Sequence, residues 1–457
     1  MTTIAEQLAA LSEEIRYEAL PAEVVHKAKM TILDTLGCAL GGFDSEPAKI
    51  MRSVVKRLGG NPESTIIGTS ERTSVLGATW TNGTAIRYLD YNDTLMSRDP
   101  SHPSGNLAGV LALAESLKLS GRDLVAGLVY AYEIQLRLVD HAGEPCLWTR
   151  GWDHPTNMVY GSAAAAAKLL GLSREKIAHS MAIAGSQASF LSEIRQGVIG
   201  KIKGTAEAKA AGDGVFAALL AAEGLTGPQK IFEGNYGYLK IVAGGADLDA
   251  LTGPIRQHKI MRTYLKYYPI ETMTQSPVKA ALDLREEHKI DPAQIERVVV
   301  GLYDFAFKKP SWDSSKLKPT TRESADHSFN YCVAVALLDG QMTAAQFADS
   351  RINAADAQDL TARTELVVDP EIEGTYPKFY PGIVTVYMKN GKTYRKRVDH
   401  FPGDPKSPMT DDQAKEKFRN QASQYLKPGQ IQEAIDTVYA IELLDNVSKL
   451  TRLFAPQ

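Results

Sequence analysis

Acid, hydroxyl and imidazole groups crowd into one short stretch of this chain. Arg87-Tyr88-Leu89-Asp90-Tyr91-Asn92-Asp93-Thr94 is followed by His102-Pro103-Ser104-Gly105-Asn106. Carboxylates beside an imidazole are the groups that move protons near neutral pH. The good helix formers after Gly83 predict a helix that runs to Thr94, which puts Asp90 and Thr94 at i and i+4 on one face. Asp99-Pro100 releases the chain from that helix, so His102 can fold back over the face. Asp and Thr near a helix end also satisfy backbone groups, so the stretch alone does not decide a function.

A second set of groups lies in GKIKGTAEAKAAGDGVFAALLA at 200–221. Lys203 stands just ahead of an apolar helix, where an ammonium and a helix N-terminus both favour an anion. Lys201 is its nearest competitor, and Arg98 and Arg195 are able to hold a carboxylate through paired hydrogen bonds. A di- or tricarboxylate that loses water or carbon dioxide needs such cations. It also needs a base for a carbon-bound proton and an acid for the leaving group. His154, in Trp152-Asp153-His154-Pro155-Thr156, opens an Ala-rich helix with Asp153 beside it. His26, His179, His258 and His288 stand singly, and His141 follows a long helix whose C-terminal dipole it can meet. No His-x-x-x-His pair or similar spacing occurs, so no metal is expected. Cys38, Cys146 and Cys332 are far apart, with neither a disulfide framework nor the close spacing usual for zinc or iron-sulfur ligands.

These groups need a scaffold, and hydrophobic periodicity supplies one. Helices are predicted over 22–41, 46–58, 74–94, 106–119, 121–141, 156–171, 173–190 and 205–223, with Ala- and Gly-rich faces that allow close helix approach. The character changes after about residue 265. IERVVVGLYDF at 295–305 is β-branched, and GIVTVYMKNGKTYRKRV at 382–398 sets Asn390-Gly391 between two alternating runs, a hairpin signal. Helical pattern returns at 280–287, 329–338, 410–425 and 430–440, and the turn FPGDPKSP at 401–408 reads as a second domain junction.

Composition narrows the class. The chain has 457 residues, 44% of them hydrophobic and 23% charged, with a formal net charge of -3. That length favours two or more domains. There is no basic excess to hold a nucleic acid and no apolar run of about 18 residues to span a membrane. The N-terminus carries early acids rather than the basic-then-apolar layout of a signal peptide, so it reads as an amphipathic first helix of a cytoplasmic protein.

RYLDYNDT and HPSGN, with GWDHPTNMVYGSAAAAAKLLGL at 151–172 and SADHSFNYCVAVALLDG at 324–340, resemble the MmgE/PrpD family of 2-methylcitrate dehydratases and cis-aconitate decarboxylases over nearly the whole chain. The resemblance implies a mainly α fold. A large all-helical domain would form from segments 1–264 and 403–457, with a smaller α+β lid domain inserted at 265–402. It also implies a homodimer made through the helical domain, a di- or tricarboxylate substrate, and no cofactor.

By the same resemblance, His102, His154, Asp90 and Lys203 are the catalytic residues, and Thr94 and Tyr331 contact substrate, with Lys201 and Arg98 as further candidates. Asp326-His327 reads as a cap or hinge ahead of the helix that holds Tyr331. One position departs from the pattern. Where many members read YP-x-E-x-H-x-Q, this chain reads Tyr268-Pro269-Ile270-Glu271-Thr272-Met273-Thr274-Gln275, and methionine cannot transfer a proton. Either His102 or His154 covers both duties, Glu271 or another residue substitutes, or the chemistry differs. The implied activity is metal-independent dehydration of 2-methylcitrate or a related hydroxy-polycarboxylate. The alternatives are decarboxylation, epimerisation as in the family's iminodisuccinate epimerase, or a non-catalytic binding role.

Overall fold

The computed structural model describes residues 2–97, 99–141, 147–245, 247–309 and 311–456. Helix accounts for 58% of the chain and strand for 9%, so the protein is mainly α. Two compact units form: Met1–Leu191 with Gly204–Leu265 and Thr410–Gln457, and Ser192–Lys203 with Lys266–Met409.

The first unit is helical. Helix α1 (Ile4–Glu14) starts at a capping box in which Thr3 and Glu6 each bind the other's backbone N–H. It is followed by α2 (Ala22–Gly41), α3 (Glu46–Leu58), α4 (Val75–Tyr88), α5 (Asn106–Ser116), α6 (Gly121–Asp140), α7 (Pro155–Leu169), α8 (Arg174–Gln187) and α9 (Ala206–Ala222). The run Ala163–Ala167 of α7 is fully buried. Small side chains let α9 lie close to α7: a Cβ on Gly214 would come 2.5 Å from Ser162 Cβ and 2.7 Å from the Ala163 nitrogen. Helices Asp411–Ala422 and Pro428–Tyr439 pack on α2 in the same unit. Lys417 ties the first of them down, with its ammonium 2.6 Å from Asp34 and donating to the Tyr91 carbonyl at 2.8 Å. That contact holds the loop after α4.

The expected helix over 74–94 stops six residues early, at Tyr88. Asp90 adopts a left-handed backbone with φ 50°, and its N–H turns back to the Arg87 carbonyl. Asp90 and Thr94 therefore do not share a helix face. Thr94 instead exchanges backbone hydrogen bonds of 2.9 and 2.7 Å with Tyr264.

The second unit is built around a four-stranded sheet. Its order is Thr364–Val368, Ile295–Leu302, Gly382–Met388, Thr393–Val398; the first pair is parallel and the others antiparallel. The hairpin turns at Asn390-Gly391, with Gly391 at φ 81°. The short strand Thr364–Val368 lacks strict alternation and carries no sequence signal of its own. Helices Gln275–His288 and Phe329–Asp339 belong to this unit, the second buried along most of its length. Ser328 caps that second helix, its hydroxyl accepting from the Tyr331 N–H at 3.2 Å, so Asp326 is not the cap. Segment 192–203 is pinned here: Gly197 N–H donates to Asp313, Lys316 donates to the Gly197 carbonyl, and Ile199 N–H donates to the Ser324 hydroxyl. Among the described residues no helix is long and apolar enough to cross a membrane.

Candidate active site

In the first unit the turn after α4, the His102 loop and the starts of α7 and α9 converge on one buried group. Arg87, in the last turn of α4, is its hub. Its Nη1 lies 2.9 Å from Asp90 Oδ1 and its Nε 2.5 Å from Glu207 Oε1. Burial works against the Arg87 charge, but Asp90 and Glu207 outweigh it and hold the guanidinium more firmly protonated than usual. The third nitrogen, Nη2, lies 3.3 Å from His102 Nε2.

That contact sets the His102 tautomer. A guanidinium only donates and a carbonyl only accepts. Nε2 facing Arg87 is therefore the acceptor, and Nδ1 carries the proton, which it donates to the Asp93 carbonyl at 2.8 Å. Both ring nitrogens of His102 are engaged. The loop itself is held from below: Asn92 donates to Ser104, Gln135 of α6 donates to Ser101, and Asn106 donates to Gln135. Gly105 leaves room for Glu207, whose Cβ would sit 3.3 Å from a Cβ at that position.

His154 completes the group, its ring centre 5.2 Å from that of His102 at an interplanar angle of 66°. Its Nε2 lies 3.6 Å from Glu207 Oε1 and 3.9 Å from Asp153 Oδ1. Asp153 accepts the backbone N–H of His154 at 3.0 Å. The nearer carboxylate for the ring is Glu207, from the first turn of α9.

Asp93 sits beneath. Burial raises its carboxyl to about 6, although the Ser104 N–H at 2.9 Å and the Tyr132 hydroxyl at 2.7 Å both favour the charged form. The Thr94 hydroxyl donates to the Ser101 carbonyl at 3.0 Å and is fully buried.

Ligand atoms of His102, His154 and Glu207 all lie within 4.8 Å of one another, a two-histidine, one-carboxylate donor set that spacing along the sequence does not reveal. Arg87 already occupies that position with its own positive charge, so a metal would have to displace a guanidinium bonded to two of the three donors. The thiols fit cluster ligation no better. Burial pushes Cys38 up to about 12 and Cys332 well above the ordinary thiol value, away from the thiolate that iron-sulfur ligation requires. Cys146 lies outside the described residues.

The remaining expected site residues divide. In the second unit Lys203 is buried, and its Nζ lies 3.3 Å from both Asp326 Oδ1 and His327 Nδ1. Lys201 is exposed. Tyr331 is fully buried, its hydroxyl donating to the Gln346 carbonyl at 2.5 Å, and burial raises its phenol well above the usual value. Arg195 is buried, and Arg98 lies outside the described residues. Met273 is buried in the second unit, and Glu271 beside it is held by Lys309 at 3.1 Å and by the Thr274 hydroxyl at 3.2 Å.

Sequence reading missed Arg87 and Glu207 as site groups. The signals were present: an arginine three residues before Asp90, and a glutamate in the first turn of a helix otherwise read for its lysines.

A helical unit with buried imidazoles, carboxylates and a guanidinium, and an α+β unit with a buried lysine, histidine and aspartate, each hold groups able to do acid–base chemistry. The chain belongs to the MmgE/PrpD family. It matches the MmgE/PrpD N-terminal domain over residues 6–251 and the C-terminal domain over 268–442. Among its relatives are the cis-aconitate decarboxylases of Homo sapiens, 30% identical over 99% of this chain and 95% of that protein, and of Mus musculus, 29% identical over 99% and 93%. The 2-methylcitrate dehydratase of Salmonella typhimurium is 27% identical over 85% of this chain and 83% of its own length.

Proposed function

We propose that this protein is a lyase that dehydrates 2-methylcitrate or a closely related hydroxy-polycarboxylate to an aconitate-type product, without a metal. The observation that carries the reading is His154, a buried imidazole whose Nε2 lies 3.6 Å from Glu207. As imidazolium it gives its proton to the departing hydroxyl, with Glu207 steadying the charged ring. His102, with Nδ1 on the Asp93 carbonyl and Nε2 on Arg87, exchanges a proton only by giving up one of those bonds, so its role here is to order the site. Asp90 keeps Arg87 in place, and Lys203 supplies the ammonium for a substrate carboxylate. Thr94 and Tyr331 remain candidates for substrate contact, each requiring its hydroxyl to leave a backbone carbonyl. Lys201 and Arg98 are the weaker candidates.

A second reading keeps the groups and changes the bond broken. Decarboxylation of cis-aconitate needs a proton donor to the carbanion left by carbon dioxide, and it is favoured by the match to named decarboxylases over 99% of this chain. Solution mass by sedimentation would test the homodimer that the resemblance implies.

His154→Gln tests the central assignment. We expect turnover of 2-methylcitrate to fall by about 10²- to 10⁴-fold, the usual cost of losing a general acid or base, with an unchanged far-ultraviolet circular dichroism spectrum. Full activity in the folded variant would remove His154 from the mechanism.

A further inference from the structure

Dehydration releases an oxygen that has to be held as well as protonated. His154 supplies the proton. Three residues further on, in the first turn of α7, stands Asn157, fully buried, its backbone N–H donating to the His154 carbonyl at 3.0 Å. Residues at i and i+3 share a helix face. Side chains on a helix also lean toward its N-terminus, so the Asn157 amide tilts back over the turn that His154 opens.

One end of that amide is fixed. The Tyr238 hydroxyl donates to Asn157 Oδ1 at 2.5 Å, and the Tyr238 ring is itself held edge-on by Tyr160 and Phe232, with centroids 5.4 and 5.9 Å away. The other end, Nδ2, is buried and has no hydrogen-bond partner among the described residues. Leaving a buried donor unpaired costs more than a typical hydrogen bond gains, so such an atom points to a group that completes it. An amide nitrogen only donates, and its missing partner is therefore an acceptor. Charge selects which acceptor. Burial foremost, and then the Asp99 carboxylate, push the Tyr238 phenol well above its usual value, so negative charge already stands on this side. A substrate carboxylate is repelled there, and a neutral hydroxyl is not.

We infer, resting on the lyase reading above, that Asn157 Nδ2 binds the hydroxyl that leaves the substrate and that Tyr238 is its positioning residue. His154, Asn157, Tyr238 and Asp99 all belong to the first unit. The C–H electron pair of the neighbouring carbon becomes the new C=C bond as its proton passes to the base. The C–O bond breaks with its pair on oxygen, which takes the proton of the His154 imidazolium and departs as water. Asn157 keeps its own protons throughout and steadies the oxygen while charge gathers on it.

Citrate and tricarballylate are the same tricarboxylate with and without the hydroxyl. Their dissociation constants are compared in wild type, Asn157→Leu and Tyr238→Phe by tryptophan fluorescence, read before turnover accumulates. Wild type is expected to prefer citrate by about tenfold or more, because tricarballylate leaves the buried Nδ2 unpaired. Asn157→Leu is expected to shrink that preference by about tenfold. Its kcat on 2-methylcitrate should fall by about 10²-fold, the cost of a lost donor at an oxygen gaining charge. Tyr238→Phe is expected to shrink the preference less, and an unchanged preference would remove Tyr238 from its positioning role. A purely packing role for Asn157 weakens both ligands alike and leaves their ratio where it was. A wild-type ratio in folded Asn157→Leu therefore overturns the inference even if kcat falls, as does a wild type that binds both ligands equally or neither.

If wild type prefers citrate but turns over none of the candidate substrates, the lyase reading fails and the hydroxyl site stands. Should Asn157→Leu not fold, a crystal structure of wild type with citrate decides. Nδ2 within about 3.2 Å of the citrate hydroxyl supports the assignment, and Nδ2 bonded only to protein or water overturns it.

Discussion

Arg87 and Glu207 decide how the imidazoles of the first unit are held. Arg87 links Asp90, Glu207 and His102, and Glu207 links Arg87 with His154. Breaking a buried ion pair by removing one charge leaves the other uncompensated and costs about 3 to 5 kcal/mol. Glu207→Gln is therefore expected to lower the melting temperature, and to cut turnover by about 10²-fold as His154 and His102 lose their alignment. Calorimetry and steady-state kinetics on the same preparation check both; an unchanged kcat would make the pair purely structural. Asp93 gives a pH prediction. Its carboxyl is raised from 3.8 to about 6 in the folded protein. Below that window both folded and unfolded chains hold the proton. Inside it the unfolded carboxyl ionises first, so stability falls as pH rises and levels off above about 6. The loss is about 3 kcal/mol. Asp93→Asn should flatten this slope in denaturant titrations between pH 4 and 7, and an undiminished slope would assign it to other groups.

At the scale of elements, helix periodicity was readable and helix ends were less so. The helices Ala22–Gly41 and Glu46–Leu58 have the limits their sequence pattern indicates, and the Asn390-Gly391 hairpin forms between the expected runs. The helix through Arg87 ends early because Asp90 turns into the left-handed region beside Arg87, a tertiary arrangement that no local propensity encodes. The same limit hid Glu207: its partners Arg87 and His154 lie 120 and 53 positions away in the chain, and only the packing of α9 brings them together. That packing depends on small residues. Gly214→Ala is expected to cost about 1 to 3 kcal/mol, because the new methyl meets Ser162 and Ala163 of α7, and to lower activity by shifting the helix that carries Glu207. A melting temperature equal to wild type would show that α9 can move aside without penalty.

For the molecule as a whole, each unit carries its own buried imidazole and carboxylate: His154 with Glu207 in the first, His327 with Asp326 in the second. The family motifs singled out His102, His154 and Lys203 as expected site residues, because each lies in a contiguous stretch that carries the resemblance. Arg87 and Glu207, which contact the two histidines, lie in stretches read for other residues and were not singled out. The relatives of this chain include both a dehydratase and decarboxylases. Dehydration and decarboxylation differ in the bond broken and in the product released. The most direct measurement is to incubate chelator-treated protein with 2-methylcitrate, citrate and cis-aconitate, following alkene absorbance and identifying products by mass spectrometry. 2-Methylcitrate is expected to gain alkene absorbance and lose one water without added metal. Carbon dioxide release from cis-aconitate with 2-methylcitrate untouched would contradict the dehydratase reading and establish the decarboxylase reading in its place.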